Sequence, residues 1–183
     1  MITVAIIGAG PLGRWLALAA AKAGFSVLLE DVMPSNLHHA QEALRAELGA
    51  GVLGESRRVA FVSTIEDAVQ HADLAIDCVP DELESKLEIL WLLDRMAPPR
   101  TVLATPTTRL SISDLASCTY RADKVIGIGV EASSLTEGAV RAIEMRTTAK
   151  TSEETVELLT VFWRGLGFEP TFALEEISAG GQG

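Results

Sequence analysis

The first thirteen residues constrain this chain more than any other segment. Ile2-Thr-Val-Ala-Ile-Ile runs directly into Gly8-Ala-Gly10-Pro-Leu-Gly13. A nearly continuous apolar run leaves no polar face for water, so it reads as a strand buried on both sides, as in a parallel sheet. Pro11 to Ala23, rich in Ala, Leu and Trp and closed by Gly24, predicts a helix with its stop signal. Parallel strands require crossover connections, which are right-handed. A chain that begins this way is committed to alternating strands and helices.

The remaining sequence keeps that alternation. Further strands are predicted at Ser26–Glu30, Arg58–Val62, Asp73–Val79, Thr101–Ala104, Lys124–Ile128, Ala139–Met145 and Phe168–Phe172. Between them, helices are expected at Ser35–Leu48, from a Ser63-x-x-Glu66 capping box to His71, and at Glu82–Met96, Ser111–Ser117 and from Thr151-Ser-Glu-Glu154 to Arg164. Leu83, Leu87, Leu90, Trp91 and Asp94 mark the face of the Glu82 helix expected to meet the core. Gly49 to Gly54 reads as a loop. The order calls for an α/β fold of the Rossmann type: a doubly wound, mostly parallel sheet with helices on both faces. Residues 1–175 form this one domain, with no second helical domain, and 176–183 are expected to fray.

The glycines assign a ligand to the first turn. Gly8 makes the tight turn, Gly10 lets a pyrophosphate approach the backbone, and Gly13 permits close packing of strand and helix. Pro11 and Leu12 open the helix, whose free N–H groups and dipole favour phosphate. Asp31 stands eighteen residues after Gly13, at the end of the second strand, where a carboxylate accepts both ribose hydroxyls of an adenosine. No Arg or Lys lies among Asp31 to Leu37, and Glu30 adds negative charge, so a 2′-phosphate is repelled. The expected cofactor is NAD.

Composition closes off other classes of function. With 183 residues, 48% hydrophobic and 22% charged, the chain has the profile of one globular domain, not of a disordered or disulfide-built one. A net charge of -10 argues against general binding to nucleic acid or anionic membrane. The opening apolar run is far short of the roughly 20 residues of a membrane span, and no basic segment precedes it. A cytoplasmic location is expected. Cys78 and Cys118 read as core thiols, and His38, His39 and His71 as solvated residues with no metal-ligand spacing.

The glycine loop, Asp31-Val32, Ala72-Asp-Leu-Ala-Ile-Asp-Cys-Val-Pro-Asp-Glu-Leu-Glu-Ser-Lys86, Ala97-Pro-Pro99, Val102 to Ile112, Val125-Ile-Gly-Ile-Gly129 and Thr151 to Val156 occur in the order of a known pattern. Together they resemble the NAD-binding domain of the 3-hydroxyacyl-CoA dehydrogenases, and the likeness runs to about residue 174. The resemblance implies that Val79 and Pro80 floor the cofactor site and that Asp81 and Lys86 match an acid and a lysine reaching the nicotinamide side. It also implies hydride transfer at C3 of a hydroxyacyl group, with a histidine moving the hydroxyl proton and a glutamate orienting it.

The reaction side departs from that pattern. The family's Asn-Thr-Ser-Ser turn reads Pro106-Thr107-Thr108-Arg109, which keeps a hydroxyl at Thr108, and Gly129 falls where the histidine stands. Glu144 matches the orienting glutamate if about three extra residues separate it from Gly129; without that gap the place falls to Arg141. Glu131 and Glu137 are nearby carboxylates able to take over proton transfer, and Arg109 is available for a carboxylate or phosphate. Pro34 to Ser56 is shorter than the family's coenzyme A arm. The expected activity is NAD(H)-dependent oxidoreduction of a 3-hydroxy/3-keto acyl thioester or a small hydroxy acid, with non-standard proton transfer. A carrier protein or partner subunit could hold the acyl group. The alternative is an inactive NAD(H)-binding module or a subunit that needs a partner; a homodimer is also expected.

Overall fold

The computed structural model describes residues 1–49 and 58–175. The loop predicted after Gly49 and the tail 176–183 lie outside those residues. In chain order the elements are β1 (Thr3–Ile7), α1 (Pro11–Lys22), β2 (Ser26–Glu30), α2 (Pro34–Leu48), β3 (Val59–Val62), α3 (Ile65–Val69), β4 (Leu74–Asp77) and α4 (Leu83–Met96). They continue with β5 (Val102–Pro106), α5 (Ile112–Ser117), β6 (Val125–Ile128), α6 (Ala132–Thr136), β7 (Ala142–Thr147), α7 (Glu153–Gly165) and β8 (Glu169–Leu174).

These strands form one sheet in the order β3-β2-β1-β4-β5-β6-β7-β8. All neighbours are parallel except β6 and β7, which run antiparallel. The doubly wound, mostly parallel expectation is met. Strand alternation explains why both faces are covered: Val4 and Ile6 of β1 point into one core and Ala5 and Ile7 into the other. The first core holds Leu16, Ala17 and Ala20 of α1, Ala40 and Leu44 of α2, and Leu159, Phe162 and Trp163 of α7. The second holds Ala68 and Val69 of α3, Ile89, Leu90 and Leu93 of α4, and Ile112, Leu115 and Ala116 of α5. Neither face of β1 reaches solvent, as its unbroken apolar run requires.

Three local expectations need correction. The predicted face of α4 is rotated: Lys86, Ile89, Leu90 and Leu93 are buried, whereas Leu83 and Trp91 are about half exposed. Lys86 lies on the same inward row as the core residues Ile89, Leu90 and Leu93, and its ammonium pairs with the Asp77 carboxylate at the end of β4. Arg95 then covers the outward Trp91, its guanidinium carbon 4.7 Å from the ring centre. The cap of α3 is Thr64, which accepts from the Asp67 N–H, rather than Ser63. Finally, the stretch between Gly129 and Ala139, for which no element is predicted, contains the single turn α6, too short for any hydrophobic period to show.

Strand order reverses between β1 and β4: the chain moves outward from β1 to β2 and β3, then returns to β4 and proceeds the other way. Connections leaving the ends of β1 and β4 therefore diverge, which opens a crevice at the carboxyl edge of the sheet.

Candidate functional site

The glycine loop occupies that crevice, and each glycine has its own physical reason. Gly8 has φ +104°, a conformation that side chains rarely tolerate, and its N–H donates to the Glu30 carbonyl. A Cβ on Gly13 would stand 1.8 Å from the Gly8 carbonyl oxygen, so α1 can lie this close to β1 only without a side chain there. Around Gly10, by contrast, the space within 4 Å of a built Cβ is open. Gly10 is also the N-cap of α1, with Pro11 in the first turn. Open space against the unpaired N–H groups of a twelve-residue helix is what a pyrophosphate needs.

Asp31 holds this loop in place. Its Oδ2 accepts from the Ala9 N–H at 2.8 Å and from Asn36 Nδ2 at 3.1 Å, and its Oδ1 accepts from the Met33 N–H at 2.8 Å. The carboxylate expected to meet a ribose thus also ties the glycine loop to the end of β2. Sequence reading missed Asn36, which a single polar residue on a helix start gives no means to single out. Glu30, beside Asp31, is 5% exposed, and burial, reinforced by the Asp31 charge, raises its pKa to about 7. Its charge near neutral pH is therefore partial, a weaker contribution than the sequence suggests.

Two clefts meet across Cys78, Val79 and Pro80, which line both. The first, bounded by Gly8, Gly10, Glu30, Asp31, Val32 and Asn36, has the polar and apolar partners of an adenosine. The second is bounded by Leu12, Asp81, Pro106, Thr107, Thr108, Val130 and Glu131. Two adjoining clefts of this kind would suit the two ends of a dinucleotide. Burial, together with the Asp77 carboxylate, pushes the Cys78 thiol up, so it is not a nucleophile at neutral pH.

Lys86 lines neither cleft. It is 1% exposed and bound to Asp77, itself 0% exposed; burial raises the Asp77 carboxyl and the Lys86 ammonium opposes that shift. Asp81 instead meets Arg109, which donates to the Asp81 carbonyl at 2.8 Å and whose Nε lies 3.9 Å from Asp81 Oδ2. Thr108 donates to Glu131 Oε1 at 2.7 Å, a contact between two loops that sequence spacing alone does not show.

Antiparallel pairing of β6 with β7 places Glu144, not Arg141, beside Gly129. The Gly129 N–H donates to the Glu144 carbonyl at 2.8 Å, and a Cβ built on Gly129 would lie 3.0 Å from Glu144 Oε1 and 3.1 Å from Arg146 Cδ. Glu137 caps the far end of α6, away from the cleft. Among the described residues no cluster of His, Cys, Asp and Glu could hold a metal ion, and His38, His39 and His71 are exposed.

The model of the 3-hydroxyacyl-CoA dehydrogenase NAD-binding domain matches residues 3–176. The chain belongs to that family. NAD is its cofactor. A probable 3-hydroxybutyryl-CoA dehydrogenase of Bacillus subtilis is 33% identical over 135 residues, 68% of this chain and 47% of the relative. The mitochondrial hydroxyacyl-coenzyme A dehydrogenase of Homo sapiens is 29% identical over 182 residues, 91% of this chain and 57% of the relative. Among solved structures, a 3-hydroxyacyl-CoA dehydrogenase of Archaeoglobus fulgidus superposes with a TM-score of 0.80 at 25% identity, covering 97% of this chain and 58% of that one. The chain thus spans about half the length of the curated relatives it matches. Among the described residues no helix is long and apolar enough to cross a membrane.

Proposed function

We propose that residues 1–175 are the cofactor half of an NAD(H)-dependent oxidoreductase acting at C3 of a 3-hydroxy or 3-keto acyl thioester, or on a small hydroxy acid. The observation that carries this reading is the continuity of the two clefts: the glycine loop and Asp31 serve one end, and a hydroxyl, Thr108, waits at the other. NAD, when bound, supplies the hydride acceptor. Gly8, Gly10, Pro11, Leu12, Gly13 and Asp31 hold its phosphates and adenosine, while Val79, Pro80 and Asp81 exclude water from the ring side. Lys86 contributes at one remove, by fixing Asp77 beneath that floor. Arg109, 72% exposed at the side chain and held among the described residues by Asp81, favours a substrate with a carboxylate or phosphate near the reacting carbon.

A second reading is favoured by one observation, Gly129 at the family's histidine position with no imidazole lining the cleft. On it the chain is an NAD(H)-binding module, or a subunit completed by a partner subunit, a carrier protein or a second copy. With either reading we propose a cytoplasmic location. Titration of the chain with NADH and NADPH, followed by fluorescence, tests the shared part: NADH is expected to bind at least tenfold more tightly. Acetoacetyl-CoA and free acetoacetate are then added to the NADH complex while absorbance at the nicotinamide band is followed. Oxidation establishes the first reading, and binding without oxidation of either compound the second. Failure to bind NADH overturns both.

A further inference from the structure

The departure at Gly129 leaves a proton without a carrier, and the second cleft contains a candidate that the family pattern does not describe. Thr108 Oγ1 has a single proton, donated to Glu131 Oε1 at 2.7 Å. Its lone pairs are therefore left for another donor, on the side where both residues line the cleft together with Leu12, Val79 and Pro80. We propose that Thr108 and Glu131 form a proton relay serving the substrate hydroxyl in place of the missing imidazole, with Thr108 touching the reacting oxygen and Glu131 acting through it.

This inference rests on the oxidoreductase reading. In the oxidative direction the substrate O–H bond breaks and its proton passes to Thr108 Oγ1. The proton already on Thr108 passes to Glu131 Oε1. The C3–H bond breaks with its electron pair, which leaves as hydride for the cofactor, and the O–H pair becomes the second bond of the carbonyl. The alcohol is oxidised, NAD+ is reduced, and Glu131 ends as a carboxylic acid that returns its proton to water. The reverse sequence reduces the ketone.

Other charged groups are committed or set back. Asp81, on the loop before α4, is engaged by Arg109 from the loop before α5. Glu144 and Arg146 of β7 flank Gly129, behind the relay, and Arg146 donates to the Thr107 and Leu110 carbonyls and to Glu175. Helix α1, which packs on α6, carries Arg14 and Lys22. Glu131 is the carboxylate that accepts the Thr108 hydroxyl proton.

The test uses the intact chain with Thr108→Val, Thr108→Ser and Glu131→Gln. With NADH and whichever of acetoacetyl-CoA or acetoacetate the wild type reduces, Thr108→Val and Glu131→Gln are expected to lower kcat by about 10²- to 10³-fold while the NADH dissociation constant stays unchanged. Thr108→Ser, which keeps the hydroxyl, retains most of the rate. Both disabled variants also lose the limb of the pH–rate profile that belongs to the carboxyl. A readout independent of turnover is the contact itself: the Glu131 carboxyl carbon signal, followed by side-chain NMR, is expected to move in Thr108→Val, where the donor is lost, and to stay in place in Thr108→Ser, where it is kept. Equal rates and pH profiles in Glu131→Gln and wild type, or a Glu131 carboxyl signal indifferent to Thr108→Val, overturn the relay alone. A wild-type chain that binds NADH and reduces neither compound overturns the oxidoreductase reading and takes the relay with it.

Discussion

At the scale of single residues, the cofactor cleft depends on groups whose charge is set by burial. Glu30 is the clearest case. Its folded pKa of about 7 lies above its ordinary value of 4.5, so the folded state binds a proton that the unfolded state has released. Its unfavourable effect is absent below the ordinary value and grows as pH rises from there to about 7. Glu30→Gln is expected to stabilise the protein at pH 8, by at most about 3 kcal/mol, with the gain vanishing near pH 4. Chemical denaturation at the two pH values checks this. The same carboxyl predicts tighter NADH binding at pH 6 than at pH 8, and a flatter dependence in Glu30→Gln; equal slopes in the two proteins would remove Glu30 from the cofactor's surroundings.

At the scale of elements, the glycine loop and the β6–β7 pair each make a sharp prediction. Gly13→Ala forces a methyl into the Gly8 carbonyl, which is backbone and cannot swing aside. The loop must open, so NADH binding is expected to fall by at least 100-fold, with a stability loss on the order of 1–3 kcal/mol; fluorescence titration and thermal unfolding separate the two effects. Gly129→His first meets the Glu144 carboxylate oxygen at 3.0 Å and the side-chain stem of Arg146 at 3.1 Å, both of which must give by only a few tenths of an ångström. The variant is expected to fold, and to place an imidazole against the Glu144 carboxylate. If the oxidoreductase reading holds, acetoacetyl-CoA reduction rises at least tenfold, with a new pH-dependent limb near the ordinary histidine range, and Gly129→His with Glu144→Gln loses the gain.

At the scale of the whole molecule, the far end of the sheet is fastened to the start of α5 by Glu175. Glu175, just past β8, accepts from the Ile112 and Ser113 N–H groups and the Ser111 hydroxyl at the start of α5, and pairs with Arg146 at 2.9 Å. Burial raises its pKa, but those N–H groups and Arg146 outweigh it and hold the carboxyl below its ordinary 4.5. A lowered acid stabilises the fold above that ordinary value and loses its contribution as pH falls through the folded value. Glu175→Gln is expected to cost about 1–2 kcal/mol at pH 7, and the difference from wild type to shrink as pH falls through the folded value, as read from denaturation curves at neutral and acid pH.

Most of the fold was legible because its signals are local. Apolar runs of strand length, glycine and proline stops and capping residues fixed the alternation of β1 through β5 within a few residues, and the glycine loop with Asp31 indicated the cofactor. The face of α4 was not legible, since a lysine on that helix is ordinarily a solvent residue, and only Asp77, nine positions away on another element, draws Lys86 inward. Nor was the pairing of Thr108 with Glu131 across 23 residues, or the choice of Glu144 over Arg141, since strand direction and register set both. By itself the sequence determined the parallel sheet, its nucleotide turn and its preference for NAD, because these follow from hydrophobic period, backbone freedom and local charge. Tertiary structure alone decided which buried charges pair and which hydroxyl and carboxylate share the second cleft, because such contacts arise where distant segments converge at the edge of the sheet.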